Sequence, residues 1–150
     1  MIWAALAALG VPLWVIALAL LSLLWKRRQV AKLPDVFSGR ARVVSGELTG
    51  LKKKFRSVQL RWVHDVLVVY AGMGRTTVLP LAVARVDHGF RAEDVKHVDD
   101  ARVLALRLDG DAAVEIAIPA GGETAAAGPF LGAARASEAD DEAAARRPSP

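Results

Sequence analysis

Cysteine does not occur anywhere in the 150 residues. Its absence excludes a disulfide framework, a thiolate zinc site and a thiol nucleophile, and it fits a reducing compartment. Histidine is scarce too. His64, His88 and His97 are the only candidate bases near neutral pH, and none has the i, i+4 spacing of a zinc-protease helix. There is no nucleophile elbow and no Walker-type phosphate loop. The stretch Gly72, Met73, Gly74, Arg75 lacks the further glycines and the following helix of a phosphate cradle, so it reads as a hairpin turn. Asp94, Asp99, Asp100, Asp109 and Asp111 match no calcium-loop spacing and read as solvated turns. No catalytic residue, metal or cofactor is expected, and the chain is not read as an enzyme.

Aromatic residues make up only 6% of the chain, and Trp62 is the one aromatic set among basic residues on a predicted strand. The pI near 9.9 therefore does not point to nucleic acid. What the chain has instead is a steep gradient of polarity. Residues 2 to 25 carry no charge, and twelve of them are Leu, Ile or Val. As a helix this segment spans about 36 Å against a hydrocarbon core of about 30 Å. Its branched aliphatic residues contribute roughly −5 kcal/mol to insertion before Pro12 and Ser22 subtract.

Trp3 and Trp25 stand at the two ends as interface anchors, and Lys26, Arg27 and Arg28 follow as a stop signal. The segment lacks the basic n-region, short apolar core and cleavage site of a signal peptide. The expectation is one transmembrane helix in the cell membrane, with the N-terminus outside and a cytoplasmic C-terminal domain. Pro12 suggests a kink, and Ala4 and Ala8 offer a small-xxx-small spacing that two helices could share.

Residues 26–56 hold ten Lys or Arg against Asp35 and Glu47, a net +8, whereas residues 57–133 carry −3 and the remainder −1. After a basic linker over residues 26–35, period-two alternation begins. Phe37, Gly39, Ala41 and Val43 share one face of a strand, and Val58, Leu60 and Trp62 share another. His64 and Asp65 form a tight turn into a β-rich run at 66–70. Two short strands, 75–81 and 82–86, are expected around Pro80. Asp109-Gly110-Asp111 joins 102–108 to 113–118 as a hairpin. Ala127, Phe130, Leu131 and Ala134 then fall at helical spacing, so a short helix starts near Gly128 and covers the open end of the sheet. From Ser137 on no apolar face remains, and a disordered tail is expected over 137–150. The domain proper is residues 36–136, and the chain shows no internal repeat.

A transmembrane helix followed by a small antiparallel β-sandwich or barrel with a C-terminal helix corresponds to a pleckstrin-homology-like plan. The apolar segment, the Lys26 to Arg28 stop, the strand at Phe37, Trp62, the Asp-Gly hairpin and the Phe130-Leu131 helix together resemble a family of small single-pass actinobacterial membrane proteins. That family is catalogued as a domain of unknown function. The resemblance implies the pleckstrin-homology-like soluble part and no assigned chemistry. In such domains the loop between the first two strands is often an anionic-lipid site, and here it contains Lys52, Lys53, Lys54, Phe55 and Arg56.

The expected function is a membrane-anchored interaction module whose domain faces an anionic membrane surface. Lys26, Arg27, Arg28, Lys52, Lys53, Lys54 and Arg56 would contact that surface, and Phe55 would dip into the interface. Its partners would be the lipid bilayer, anionic lipid headgroups and a membrane protein. The alternative is a structural or assembly subunit of a membrane protein complex that uses the helix and an exposed strand edge to hold its partner.

Overall fold

The computed structural model describes residues 13–146. It begins with helix α1 (Leu13–Ala31), 19 residues long. The transmembrane segment expected over residues 2 to 25 lies partly outside the described residues, including Trp3, Ala4, Ala8 and Pro12. What is described corrects that expectation. The helix continues through Lys26, Arg27, Arg28 and Gln29. Among the described residues no helix is long and apolar enough to cross a membrane. The single-pass, cell-membrane placement and its inside-outside orientation fall with that finding. The basic linker also shortens, because residues 26–31 are helical.

Six antiparallel strands follow: β1 (Val36–Ser45), β2 (Arg56–Val63), β3 (Val66–Ala71), β4 (Thr77–Ala92), β5 (Arg102–Leu108) and β6 (Ala113–Ile118). Each pairs with the next, and β1 returns to β6, so the sheet closes as a barrel. Two strands turn the corners. β1 pairs with β2 through residues 36–41 and with β6 through residues 40–45. β4 lies beside β3 over residues 77–82 and beside β5 over residues 83–92, with three register shifts in the second part. The two strands expected around Pro80 are thus one long strand. Pro80 sits where β4 has only β3 beside it, a place where a missing N–H breaks no second ladder.

Alternation in the sequence becomes inside and outside of the barrel. Val58 and Leu60 on β2, Leu67 and Val69 on β3, Leu104 and Leu106 on β5, and Ile116 and Ile118 on β6 are buried together with Ala41, Val43, Leu81 and Val83. β6 is buried on both faces, because residues 93–101 fold over the outside of the barrel there. The closed barrel also removes the exposed strand edge on which the assembly reading relied. The open stretches of β1 and β4 are short, and Gly50 of the β1–β2 loop lies against Thr77 and Leu79 of the second.

The C-terminal segment forms helix α2 (Glu123–Ala127), a 3-10 turn (Gly128–Phe130) and helix α3 (Leu131–Ala145). The expected start near Gly128 is in fact the kink between two helices, and the stretch expected to be a disordered tail is helical as far as Ala145. Ala126, Ala127 and Ala134 are buried against the barrel, with Phe130 and Leu131 packed beside them. The Trp62 indole N–H donates to the Ala126 carbonyl at 3.0 Å. α3 crosses β4 at Gly89, where an added Cβ would stand 2.5 Å from the Ala134 carbonyl oxygen, and the Gly89 N–H donates to Ser137 Oγ at 3.0 Å. The fold class expected from the sequence is therefore corrected to a six-stranded closed antiparallel barrel with a C-terminal helical segment and no described membrane-crossing helix.

An ion-paired set on the outside of β4 and β5 gives the fold an acid-sensitive contact. Burial pushes the Asp87 carboxyl up, but the hydrogen bond and charge of Arg107, whose Nε donates at 2.8 Å, together with Arg85 outweigh it. The net result is a pKa below the ordinary carboxylate range. A depressed folded-state pKa means stability that is whole above the unfolded value of about 3.9 and is lost as pH falls through the folded value. In urea titrations between pH 7 and pH 2, the gap in midpoint between the wild type and Asp87→Asn is expected to be constant above about pH 5 and to close in acid. A gap that persists at pH 2 would mean that ionisation of Asp87 is not its source.

Candidate functional site

A basic groove lies between the β1–β2 loop and the β3–β4 turn. Its lining includes Arg40, Lys52, Arg56 and Arg75, with Ser57 and the Gly72 to Gly74 backbone between them, around a volume of about 530 Å³. No acidic residue lines it among the described residues. Strand pairing brings these cations together, since Arg40 on β1 faces Ser57 on β2 across the ladder. The β3–β4 turn supplies the other wall. Gly72 and Gly74 adopt φ values of 80° and 73°, which are open to glycine without strain, and Arg75 follows at 58°. The Arg75 guanidinium donates to the Ser57 carbonyl at 2.5 Å and to Ser57 Oγ at 3.1 Å, tying the turn to the start of β2.

The expected lysines separate in this structure. Lys52 lines the groove and also reaches a neighbouring one, which Lys53 lines with Glu47, Leu48 and Thr49, residues that the first groove does not include. Lys54 is exposed between them and Phe55. Lys26 and Arg28 are exposed on α1, outside the groove lining, and Arg27 belongs to the same helix. Trp25 is 66% exposed and joins Leu18, Leu21, Leu24 and Arg28 along one side of α1. Trp3 lies outside the described residues.

Phe55 differs from its expected place at an interface. It is half-buried and packs against Val95, Ala101, Val103 and Ala117, and the Arg42 guanidinium lies 4.3 Å above its ring. An aromatic ring in that position anchors the loop from within.

The groove contains two cations that sequence reasoning missed, Arg40 and Arg75. Arg40 alternates with the apolar face of the first strand and carries no signal of its own, and Arg75 reads as part of a turn. The register that pairs β1 with β2 is what joins them to Lys52 and Arg56, and a register of this kind has no local sequence signal. α1 reaches the same rim: Gly74 lies against Leu23, where an added Cβ would come within 2.8 Å of Leu23 Cδ2. An apolar helix, with Trp14, Leu18, Leu20, Leu21, Leu24 and Trp25 exposed, thus docks beside a cationic groove.

The three histidines are dispersed. His64 occupies the β2–β3 turn at φ 57°, His88 lies in β4, and His97 lies in the β4–β5 loop at φ 64°. The arrangement as a whole can hold an anionic group through guanidinium and ammonium donors, and it presents apolar side chains next to that group. No protein-family model matches the chain, and neither a curated protein nor a solved structure does.

Proposed function

We propose that this chain is an interaction module that binds the surface of an anionic bilayer through the groove of Arg40, Lys52, Arg56 and Arg75. The observation that carries the reading is the joining of two features: four cations in one acid-free groove, and an exposed apolar helix packed on its rim through Leu23 and Gly74. A soluble anion would use the first feature alone, whereas a lipid surface offers headgroup charge and apolar depth side by side. The reading concerns the surface of a bilayer and needs no helix that crosses one.

Each Lys or Arg held near such a surface is worth about 1 kcal/mol, so changing Lys52 of the groove together with Lys53 and Lys54, which stand exposed beside it, to Gln is expected to weaken binding about 100-fold. Co-sedimentation of the full chain with anionic and with neutral vesicles, at low and high salt, measures this. Binding that is equal on both vesicle types, or unaffected by the triple substitution, overturns the proposal.

A protein partner is the second reading, and one observation favours it. The outer face of β2 to β4 presents Val63 and Val78, both exposed, and Val68 stands in register with Pro80 between them. A protein that co-purifies in stoichiometric amount and is lost on Val78→Lys would support the assembly role.

A further inference from the structure

We propose that residues 93–101 are a clamp that holds the basic loop in its binding shape, with Phe55 as the part they grip. The inference rests on the surface-binding reading above and names what controls it.

The loop between β1 and β2 is tied at both ends of its lysine run. On one side Leu51 is buried in the barrel core, and the Val43 N–H donates to the Lys52 carbonyl at 2.9 Å. On the other side Phe55 enters a second apolar cluster, built outside the barrel by Val95 and Val98 of the β4–β5 loop, Ala101, Val103 of β5 and Ala117 of β6. Only residues 52–54 stand out between the two anchors.

The clamp has a polar hinge pin as well. Arg40 donates one guanidinium nitrogen to the Lys96 carbonyl at 2.9 Å and another to the Phe55 carbonyl at 3.1 Å, so one side chain joins the gripping loop to the gripped one. Arg42 stacks on the Phe55 ring while it pairs with Glu93 at the base of the clamp. The clamp itself is shaped by a bridge between Val95 and Val98, by the Glu93 N–H to Ala101 carbonyl bond at 3.2 Å, and by left-handed residues at His97 and Asp100.

A lysine run that is free to move must be ordered when it binds, and that ordering lowers affinity. Anchoring at Leu51 and Phe55 meets that cost within the folded chain. The clamp meets the groove lining at Arg40, which donates to the Lys96 carbonyl, so its effect on binding runs through Phe55 and Arg40.

The test uses the full chain with Val95→Ala, which shrinks the grip and changes no charge. Amide exchange of Val43, whose N–H sits on the Lys52 carbonyl, is expected to speed up about tenfold, as the loss of two methyl contacts implies, while β5 and β6 amides keep wild-type protection. Affinity for anionic vesicles is expected to fall about threefold to tenfold in the same variant. Phe55→Ala empties the other side of the same contact and must show the same acceleration, which keeps the proposal open to refutation should Val95→Ala fail to fold.

Unchanged Val43 exchange in both variants overturns the clamp. So does a loss of vesicle binding in Phe55→Ala that Val95→Ala does not share, because Phe55 would then act as a wedge in the lipid. If the wild type ignores anionic vesicles, the surface-binding reading fails, while the exchange measurement still decides whether the clamp exists.

Discussion

Gly128→Ala is expected to lower stability by about 2–4 kcal/mol, through overpacking together with a strained backbone. Gly128 joins α2 to the 3-10 turn at φ 49° and ψ −124°, a conformation that a residue with a Cβ pays to adopt. An added Cβ would also stand within 2.6 Å of Trp62 Cγ and Nε1. The indole cannot yield in place. Its N–H is committed to the Ala126 carbonyl, and its ring packs at 5.6 Å from Phe130. Making room therefore breaks the hydrogen bond and lifts the helical segment from the barrel mouth.

At roughly 3–4 °C per kcal/mol for a chain of this size, the midpoint of thermal unfolding should fall by about 6–16 °C. Trp62 should also become more polar in its surroundings, seen as a red shift in indole emission. Gly132→Ala is the control. It lies in α3 with nothing within 4 Å of an added Cβ, and alanine there is expected to be neutral or to stabilise by up to about 1 kcal/mol. Equal melting of the Gly128→Ala variant and the wild type would show that Trp62 does not seal the barrel through this glycine.

The strands were the most legible part of the molecule, for a physical reason. A strand with one face in the core must alternate, and Val58, Leu60, Leu67 and Val69 do so without interruption. Turn chemistry was equally local. His64 takes a positive φ between β2 and β3, and Gly110 and Asp111 take positive φ between β5 and β6. β4 was split in the sequence reading because Pro80 breaks a strand pattern, yet the strand runs on where the lost N–H has no ladder to serve.

Less was legible where close backbone approach does the packing. The helix beyond Ser137 has no apolar stripe because it docks through Ala134 and Gly89, where bare backbone meets bare backbone and Ser137 Oγ accepts the Gly89 N–H. A pattern search for large side chains passes over such a contact. The apolar N-terminal run misled in the opposite direction: the described helix spends its last turns on Lys26, Arg28 and Gln29 and is not long and apolar enough to cross a membrane, and it presents an exposed apolar surface at the rim of the barrel. The candidate site was half visible. Lys52 and Arg56 stood out as a charge run, but Arg40 and Arg75 reach it through strand register and a turn, and Phe55 points into a cluster built from residues 40 to 62 positions away.

Glu115→Ala is expected to cost about 2–3 kcal/mol, less than the roughly 3–5 kcal/mol of removing one partner of a fully buried ion pair. Glu115 faces Arg42 directly across the β1–β6 ladder, and its side chain is only 7% exposed. It accepts from Arg42 Nε at 2.6 Å and from an Arg91 guanidinium nitrogen at 2.5 Å, and Glu93 bonds both arginines from the rim. Burial opposes the charge on Arg91, but Glu115 and Glu93 more than offset it, so that guanidinium is held charged more firmly than usual.

With Glu115 gone, two guanidinium groups share Glu93 alone. They are 29% and 44% exposed and can turn partly to water, which is why the loss stays below the 3–5 kcal/mol or so of a fully enclosed pair. Removing the network as a unit should cost much less. In Arg42→Leu with Glu115→Leu, Arg91 keeps its two bonds to Glu93, and the new leucines can pack on Phe55 and under residues 93–101. The double variant is expected to recover to within about 1 kcal/mol of the wild type, as apolar replacements of buried ion pairs commonly do. A double-mutant cycle in urea measures the coupling. If the two single losses simply add, Arg42 and Glu115 do not act together, and the strength of this outer layer must come from the apolar cluster around Phe55.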